Sequence, residues 1–258
     1  MIGFDHIGTM GRLGNQMFQY AALKGIAAHR GYEYTIPPEN PRIQIDNYGL
    51  IEAFELSDNK KIGWLNTQYD IIAEKHFHFD EDLFNTFPDG SGLYGFFQSE
   101  KYFKHIEDEI RKDFTFKKDW LEPCKECFGD DEYIGLHIRR TDYVQKQSYH
   151  PLCTLYYYER ALKKLPNIQV IIVSDDPEWC ENQELFKPDR FLISDSGSNI
   201  VDMCILSLCK YHVIANSSFS WWGAWLAESE KVIAPKIWFG SQANLDDSDL
   251  VPQHWERI

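Results

Sequence analysis

From Tyr133 onward the chain alternates short β-branched runs with segments of helical period, and this alternation constrains the fold more than any other feature. The strand-like runs are Tyr133 to Ile138, Val170 to Ser174, Arg190 to Ile193, His212 to Ala215 and Lys231 to Ala234. Helical patterns over 155–165, 178–186, 199–210 and 219–228 separate them. Strands joined through a helix run parallel, because a parallel connection needs a crossover, so the spacing predicts an α/β lobe with helices on both faces of one sheet. Val170-Ile171-Ile172-Val173 is apolar on both faces, as a buried parallel strand should be. Ligands of such sheets bind beyond the carboxyl ends of the strands. That rule directs attention to Arg139 to Asp142, Asp175-Asp176, Ser194 to Asn199 and Asn216 to Ser218.

The N-terminal half opens with a strand-like Ile2 to Ile7, a Gly-rich turn and a helix. Phe18, Ala21, Ala22, Gly25 and Ala28 share one face of that helix, and their small side chains predict close packing on a sheet. Asn15 occupies the expected N-cap position and Gly31 the expected stop. A second strand, Tyr32 to Ile36, ends at Pro37-Pro38. Lys112 to Asp131 is highly charged, carries Pro123 and Gly129 and lacks an apolar period, so it reads as a linker. It divides the chain into lobes over 1–125 and 130–258.

Charge narrows the function. With 26 Lys+Arg against 40 Asp+Glu the net charge is −14, which repels nucleic acid at long range and leaves any anionic ligand to a few placed arginines. The six cysteines are scattered and read as free thiols of a reducing compartment; Cys124 and Cys127 form a lone CxxC with no second pair to complete a zinc site. The N-terminus lacks the pattern of a signal peptide, and no apolar run approaches the about 20 residues of a membrane span. The expectation is a cytoplasmic protein with at most peripheral membrane contact.

Four motifs carry chemistry. Gly11-Arg12-Leu13-Gly14-Asn15-Gln16 is a glycine-bracketed turn into a helix; it reads either as an anion site or as a plain helix start, and it lacks the P-loop and dinucleotide endings. In His137-Ile138-Arg139-Arg140-Thr141-Asp142-Tyr143, alternation puts His137 and Arg139 on one face and Arg140 on the other. Two adjacent arginines at a sheet edge call for an anion, for which the guanidinium fork suits phosphate, unless Asp142 or Asp175 pairs with them as structure. Asn216-Ser217-Ser218-Phe219 opens a helix whose hydroxyls can cap it or hold a phosphate. Asp202, in the first turn of the preceding helix, either complements the helix dipole or accepts the N–H edge of a guanine base, and both readings stand.

Together, GRLGNQMFQYAA (Gly11 to Ala22), HIRRTDY (His137 to Tyr143), SDDP (Ser174 to Pro177) and NSSFSWWGAWL (Asn216 to Leu226) resemble the α-1,2-fucosyltransferases of glycosyltransferase family 11. Pro37 to Lys118 carries no matching motif. The resemblance implies a GT-B-like α/β fold with two Rossmann-like lobes, the N-terminal one on the acceptor side. It implies GDP-β-L-fucose as donor, a galactose-containing oligosaccharide or glycolipid as acceptor, inversion at the anomeric carbon, and no cofactor or obligatory metal. Arg139 then corresponds to the arginine on the leaving β-phosphate. His137 and Asp202 then lie near guanosine, Ser217, Ser218 and Phe219 near the diphosphate, and Asn15, expected with Arg139 and Asp142 among the catalytic residues, near the sugar or phosphate; Arg12, Arg140 and Asp175 complete the expected donor site. Inverting transfer ordinarily uses a general base. Asp142 is the nearest carboxylate in sequence, either as that base or as the partner that holds an arginine.

Other classes fare worse. A metal-dependent transferase needs Asp-x-Asp after a strand, and Asp80-Glu81-Asp82 and Asp247-Ser248-Asp249 follow none that is convincing. His76 and His78 lack a nearby third metal ligand. A glycan-binding protein without catalysis has no use for Arg139-Arg140 at a sheet edge.

Overall fold

The computed structural model describes residues 1–39, 48–56, 61–65, 69–129 and 131–258. The chain divides into two compact units, Met1–Lys117 with Leu245–Pro252 and Lys118–Asn244 with Gln253–Ile258.

Unit 1 contains β1 (Ile2–Gly3), α1 (Leu13–Arg30), β2 (Tyr34–Ile36), α2 (Gly49–Ala53), β3 (Lys61–Ile62), β4 (Ile71–Ala73), α3 (Glu81–Thr86), β5 (Gly92–Tyr94) and α4 (Glu107–Asp113). Its strands form a parallel sheet in the order β3-β2-β1-β5-β4. Helix α1 is buried from Leu13 to Ala27 except at Asn15, so it is a core helix rather than an amphipathic one. Ala28, expected on the packed stripe, is exposed. Gly25 makes the close approach, against the Tyr102 backbone instead of a sheet: a Cβ there would lie 2.0 Å from the Tyr102 carbonyl oxygen. Gly31 ends the helix in the left-handed conformation at φ 70°. The N-cap position belongs to Arg12, because Leu13 and Gly14 are already helical, and Asn15 lies in the first turn.

Unit 2 contains α5 (Lys118–Phe128), β6 (Tyr133–Ile138), α6 (Leu155–Leu162), β7 (Gln169–Ser174), α7 (Pro177–Glu181), β8 (Phe191–Ile193), α8 (Asn199–Leu208), β9 (Tyr211–Val213), α9 (Ser218–Leu226), β10 (Lys231–Ala234) and β11 (Glu256–Arg257). The segment read as a linker thus holds helix α5, which buries Cys124 and Phe128. The sheet is parallel in the order β11-β10-β9-β6-β7-β8. The chain builds outward from β6 in one direction and then, from β9, in the other. The strand order therefore reverses between β6 and β9, and the crevice of a doubly wound sheet opens at that point.

The alternation along β6 assigns each face. Ile134, Leu136 and Ile138 pack with Tyr157, Tyr158, Ala161 and Leu162 of α6. On the opposite face Gly135 lies under Leu206 of α8, and His137 meets Phe219 of α9. A Cβ on Gly223 would come within 2.6 Å of Leu206 Cβ, so α8 and α9 are packed through that glycine. All six cysteines are free.

Candidate active site

The carboxyl ends of β6, β7 and β9 carry the charged motifs. Arg139, directly after β6, donates Nη2 to Asp142 Oδ1 at 2.5 Å and Nη1 to Asp175 Oδ2 at 3.0 Å, with its side chain 15% exposed. Its guanidinium also lies 5.5 Å from the centroid of the Tyr143 ring. A guanidinium carries five N–H donors, so these two ion pairs orient it and still leave N–H groups for a ligand. Arg140 turns the other way. Its Nε donates to Asp176 Oδ2 at 3.0 Å and its guanidinium stacks 3.9 Å from the Trp179 ring centroid. The expected division of the two arginines between faces is what the side chains show.

Asp175 joins these parts. Besides pairing with Arg139, it accepts the Arg140 backbone N–H at 2.8 Å and the Thr141 hydroxyl at 2.5 Å. Asp176 caps α7 by accepting the Trp179 N–H at 3.2 Å. Tyr143 donates its hydroxyl to the Asn216 carbonyl at 3.0 Å, tying the loop after β6 to the loop after β9. Sequence reasoning assigned no role to Tyr143 or Trp179; their place beside arginines in the HIRRTDY and SDDP segments was the available signal.

His137 is buried, at 4% exposure, and its Nδ1 has no hydrogen-bond partner among the described residues. Burial and the nearby Arg139 cation hold its pKa down to about 3, so the ring is neutral. It lies 5.4 Å from the Phe219 ring. Ser217 is the N-cap of α9 and accepts the Phe219 N–H at 3.3 Å. Ser218 and Phe219 form the first turn, half-buried, where backbone N–H groups favour an anion. Asn216 is 2% exposed and donates to the Pro151 and Trp238 carbonyls at 3.0 and 2.9 Å, so it is a clasp and not a glycosylation site.

Asp202 is half-buried in the first turn of α8. The Ser194 and Ser196 hydroxyls, beyond β8, both donate to its Oδ1, at 2.7 and 2.8 Å. Oδ2 accepts nothing among the described residues. Burial raises the pKa of this carboxyl, against the two hydroxyls.

In unit 1, Gly11 has φ 79°, and a Cβ there would strike the Asn15 side chain at 2.1 Å, so glycine is required twice over. Asn15 Oδ1 accepts from Gln98 Nε2 at 2.7 Å. Gln16 donates to the Gly11 carbonyl at 3.3 Å and accepts the Gly49 N–H at 3.0 Å, which explains that residue as structure. Arg12 is exposed. The Asp-x-Asp candidates are structural too: Asp80 caps α3 and Asp249 pairs with Lys101.

Residues 2–258 match the profile of Glycosyl transferase family 11. The chain belongs to that family. This family-11 chain is 32% identical to the alpha-1,2-colitosyltransferase of Escherichia coli, over 96% of each chain. It is 24% identical to the galactoside alpha-(1,2)-fucosyltransferase 1 of Bos taurus, over 88% of this chain and 67% of the bovine one. Among solved structures, the fucosyltransferase NodZ from Bradyrhizobium superposes with a TM-score of 0.59 at 12% identity, covering 90% of this chain and 94% of NodZ. The family-11 chain therefore has the GT-B-like α/β fold. Among its described residues no helix is long and apolar enough to cross a membrane.

Proposed function

We propose that this transferase moves L-fucose from GDP-β-L-fucose to the 2-hydroxyl of a terminal galactose in an oligosaccharide or glycolipid, with inversion and without an obligatory metal. The observation that carries the proposal is Arg139, oriented by two carboxylates at the carboxyl end of β6, where the strand order reverses and α9 begins. In the reaction the acceptor hydroxyl oxygen attacks the anomeric carbon as the bond from that carbon to the β-phosphate oxygen breaks, and the hydroxyl proton leaves to solvent late in the step. The electron pair and the developing negative charge go to GDP. A fixed guanidinium facing that oxygen stabilises the transition state more than the ground state. The α9 N-terminus at Ser217, Ser218 and Phe219 receives the diphosphate, Asp202 Oδ2 the guanine N–H edge, and His137, neutral, the guanosine side of the donor. Arg140 and Asp175 hold the arginine platform together. The ion pair of Asp142 with Arg139 favours an orienting role for Asp142 over that of the base. From unit 1, Arg12 and Asn15 remain the residues proposed to contact the sugar or phosphate.

The identity with a colitosyltransferase favours a second donor, GDP-colitose, whose sugar lacks the 3-hydroxyl of fucose. Incubating the purified chain with lactose and each donor in turn, and assigning the product linkage by NMR, tests both readings. An α-1,2-fucosylated product is expected. A preference for GDP-colitose in kcat/KM would replace the first donor by the second, and turnover of neither overturns both.

A further inference from the structure

Arg139 has a neighbour besides its two carboxylates, and that neighbour is itself held by a ring from farther along the chain. The guanidinium lies 5.5 Å from the Tyr143 ring centroid. The Tyr143 hydroxyl is fixed at the Asn216 carbonyl, while its ring is steadied by His150, whose imidazole stacks on it at 4.7 Å with an interplanar angle of 16°. His150 meets Phe239 in turn, at 6.1 Å and 55°. Arg139, Tyr143, His150 and Phe239 thus form one continuous row inside unit 2. A short closure sets the place of the imidazole: the Lys146 carbonyl accepts the Tyr149 and His150 N–H groups at 2.9 and 2.8 Å. The Gly240 and Gln242 N–H groups donate to the Tyr149 and Ser148 carbonyls at 2.8 and 3.1 Å, and a Cβ on Gly240 would lie 2.2 Å from the Ser148 oxygen. The turn carrying His150 is therefore pinned to the segment carrying Phe239.

An aromatic ring offers a cation the negative face of its quadrupole, and a neutral ring stacked beside it steadies that face without competing for the cation. A second cation on the same ring competes with the first and repels it. The charged groups acting on His150 are Asp142, Lys146 and Arg139, and among the described residues the segment around Phe239 adds none. Burial, with the Lys146 and Arg139 cations, outweighs Asp142 and lowers the His150 pKa from 6.5, so at neutral pH the ring is uncharged. The imidazole is half-buried and open to a proton. Once protonated, it places a second cation on Tyr143 and draws Asp142 away from Arg139. We propose that His150 is a positioning residue of the donor site: as a neutral ring stacked on Tyr143 it holds the surface on which the Arg139 guanidinium rests, and its protonation releases that guanidinium. The proposal rests on the transferase reading and adds to it a residue outside the HIRRTDY segment on which the aim of Arg139 depends.

Steady-state kinetics with lactose and the GDP-sugar that the chain turns over, on variants folded by circular dichroism at each pH, test it. His150→Ala should lower kcat about tenfold, the scale of one aromatic contact, with both KM values unchanged, since the Arg139 contact strengthens in the transition state. His150→Phe, which keeps a flat uncharged ring, should recover most of that loss. Between about pH 7 and about pH 5 the wild type should lose kcat more steeply than His150→Phe, because an imidazole takes up a proton in that range and a phenyl ring does not. A wild-type kcat in His150→Ala, equal losses in the two variants, or parallel pH profiles of wild type and His150→Phe each overturns the proposal. The Arg139 Nε–H signal in nitrogen-edited NMR of the GDP-bound protein, assigned by its absence from Arg139→Lys, reads the same contact without turnover. A signal that shifts with pH in the wild type and stays in place in His150→Phe, with no GDP-sugar turned over, supports the positioning and removes the transferase reading alone. A signal that behaves alike in both overturns it.

Discussion

Arg139 Nη1 and Asp175 Oδ2 lie 3.0 Å apart across the carboxyl ends of the neighbouring strands β6 and β7. Because Asp175 also accepts the Arg140 backbone N–H, one carboxylate sets both the direction of the guanidinium and the path of the chain leaving β6. Arg139→Ala should lower kcat and kcat/KM by about 10²–10³-fold, the effect of losing one transition-state donor. Arg139→Lys should also lose kcat, since it keeps the charge without the fork. Asp175→Asn keeps an oxygen for the backbone and loses the charge that orients Arg139, so a smaller fall of about tenfold is expected. Steady-state kinetics on variants with wild-type circular dichroism decide this. Near-normal turnover by Arg139→Ala would place the phosphate site elsewhere.

Removing the Asp202 carboxylate should weaken GDP binding by roughly 1–3 kcal/mol, the effect of leaving a buried hydrogen-bonding group without its partner. Calorimetry on Asp202→Ala measures it. Unchanged GDP affinity would reduce Asp202 to an acceptor for Ser194 and Ser196 at a helix terminus.

Turnover should persist in excess EDTA, because the proposed site gives the diphosphate Arg139 and the N–H groups of α9 in place of a neutralising divalent cation. An assay with and without chelator checks it. Complete loss on chelation, restored by Mn²⁺, would contradict the proposed chemistry.

Acid should destabilise the fold through two buried histidines. Burial holds His137 down to about 3 and His212 down to about 4 from the ordinary 6.5. His212 is further fixed between the Leu206 carbonyl at 2.8 Å and the Ser229 hydroxyl at 2.6 Å. With folded pKa values below the unfolded one, the unfolded chain binds more protons in this window, so stability is complete above pH 6.5 and falls as pH falls toward 4. By pH 5 the loss is about 2 kcal/mol per histidine, from 1.4 kcal/mol per pH unit. Urea melts of the wild type and of His212→Gln across this range should show a shallower slope in the variant. Equal slopes would mean that His212 does not carry the linkage.

Much of unit 2 was legible because strand and helix periods leave their mark on the residues themselves. Ile134, Leu136 and Ile138 fall on one face of β6 and Gly135 and His137 on the other, as the period of two requires. Tyr133–Ile138 and Lys231–Ala234 form strands over the residues that this pattern marks. Helix α5 escaped notice because it buries only Cys124 and Phe128, with Pro123 inside a charged stretch, so its apolar stripe is too narrow to read. The N-cap at Asn15 was misplaced for a different reason. The side chain suited a cap, but in the fold it is engaged by Gln98, a residue far along the chain.

The sequence by itself determined the parallel lobe, the place of its charged carboxyl edge and the side-chain chemistry available there, because periodicity, crossover geometry and the guanidinium fork are local properties. Only the tertiary structure decided partners. Strand β11 exists as Glu256–Arg257 because it pairs with β10, and two residues carry no strand signal of their own. Among Asp142, Asp175 and Asp176, composition could not choose which acid holds which arginine. The register of β6 against β7 chose, giving Asp142 and Asp175 to Arg139 and Asp176 to Arg140. The contacts of Tyr94 with the His6 ring and with the Glu74 backbone N–H are likewise unreadable along the chain, since the three residues lie at the ends of β5, β1 and β4, which only the sheet brings side by side.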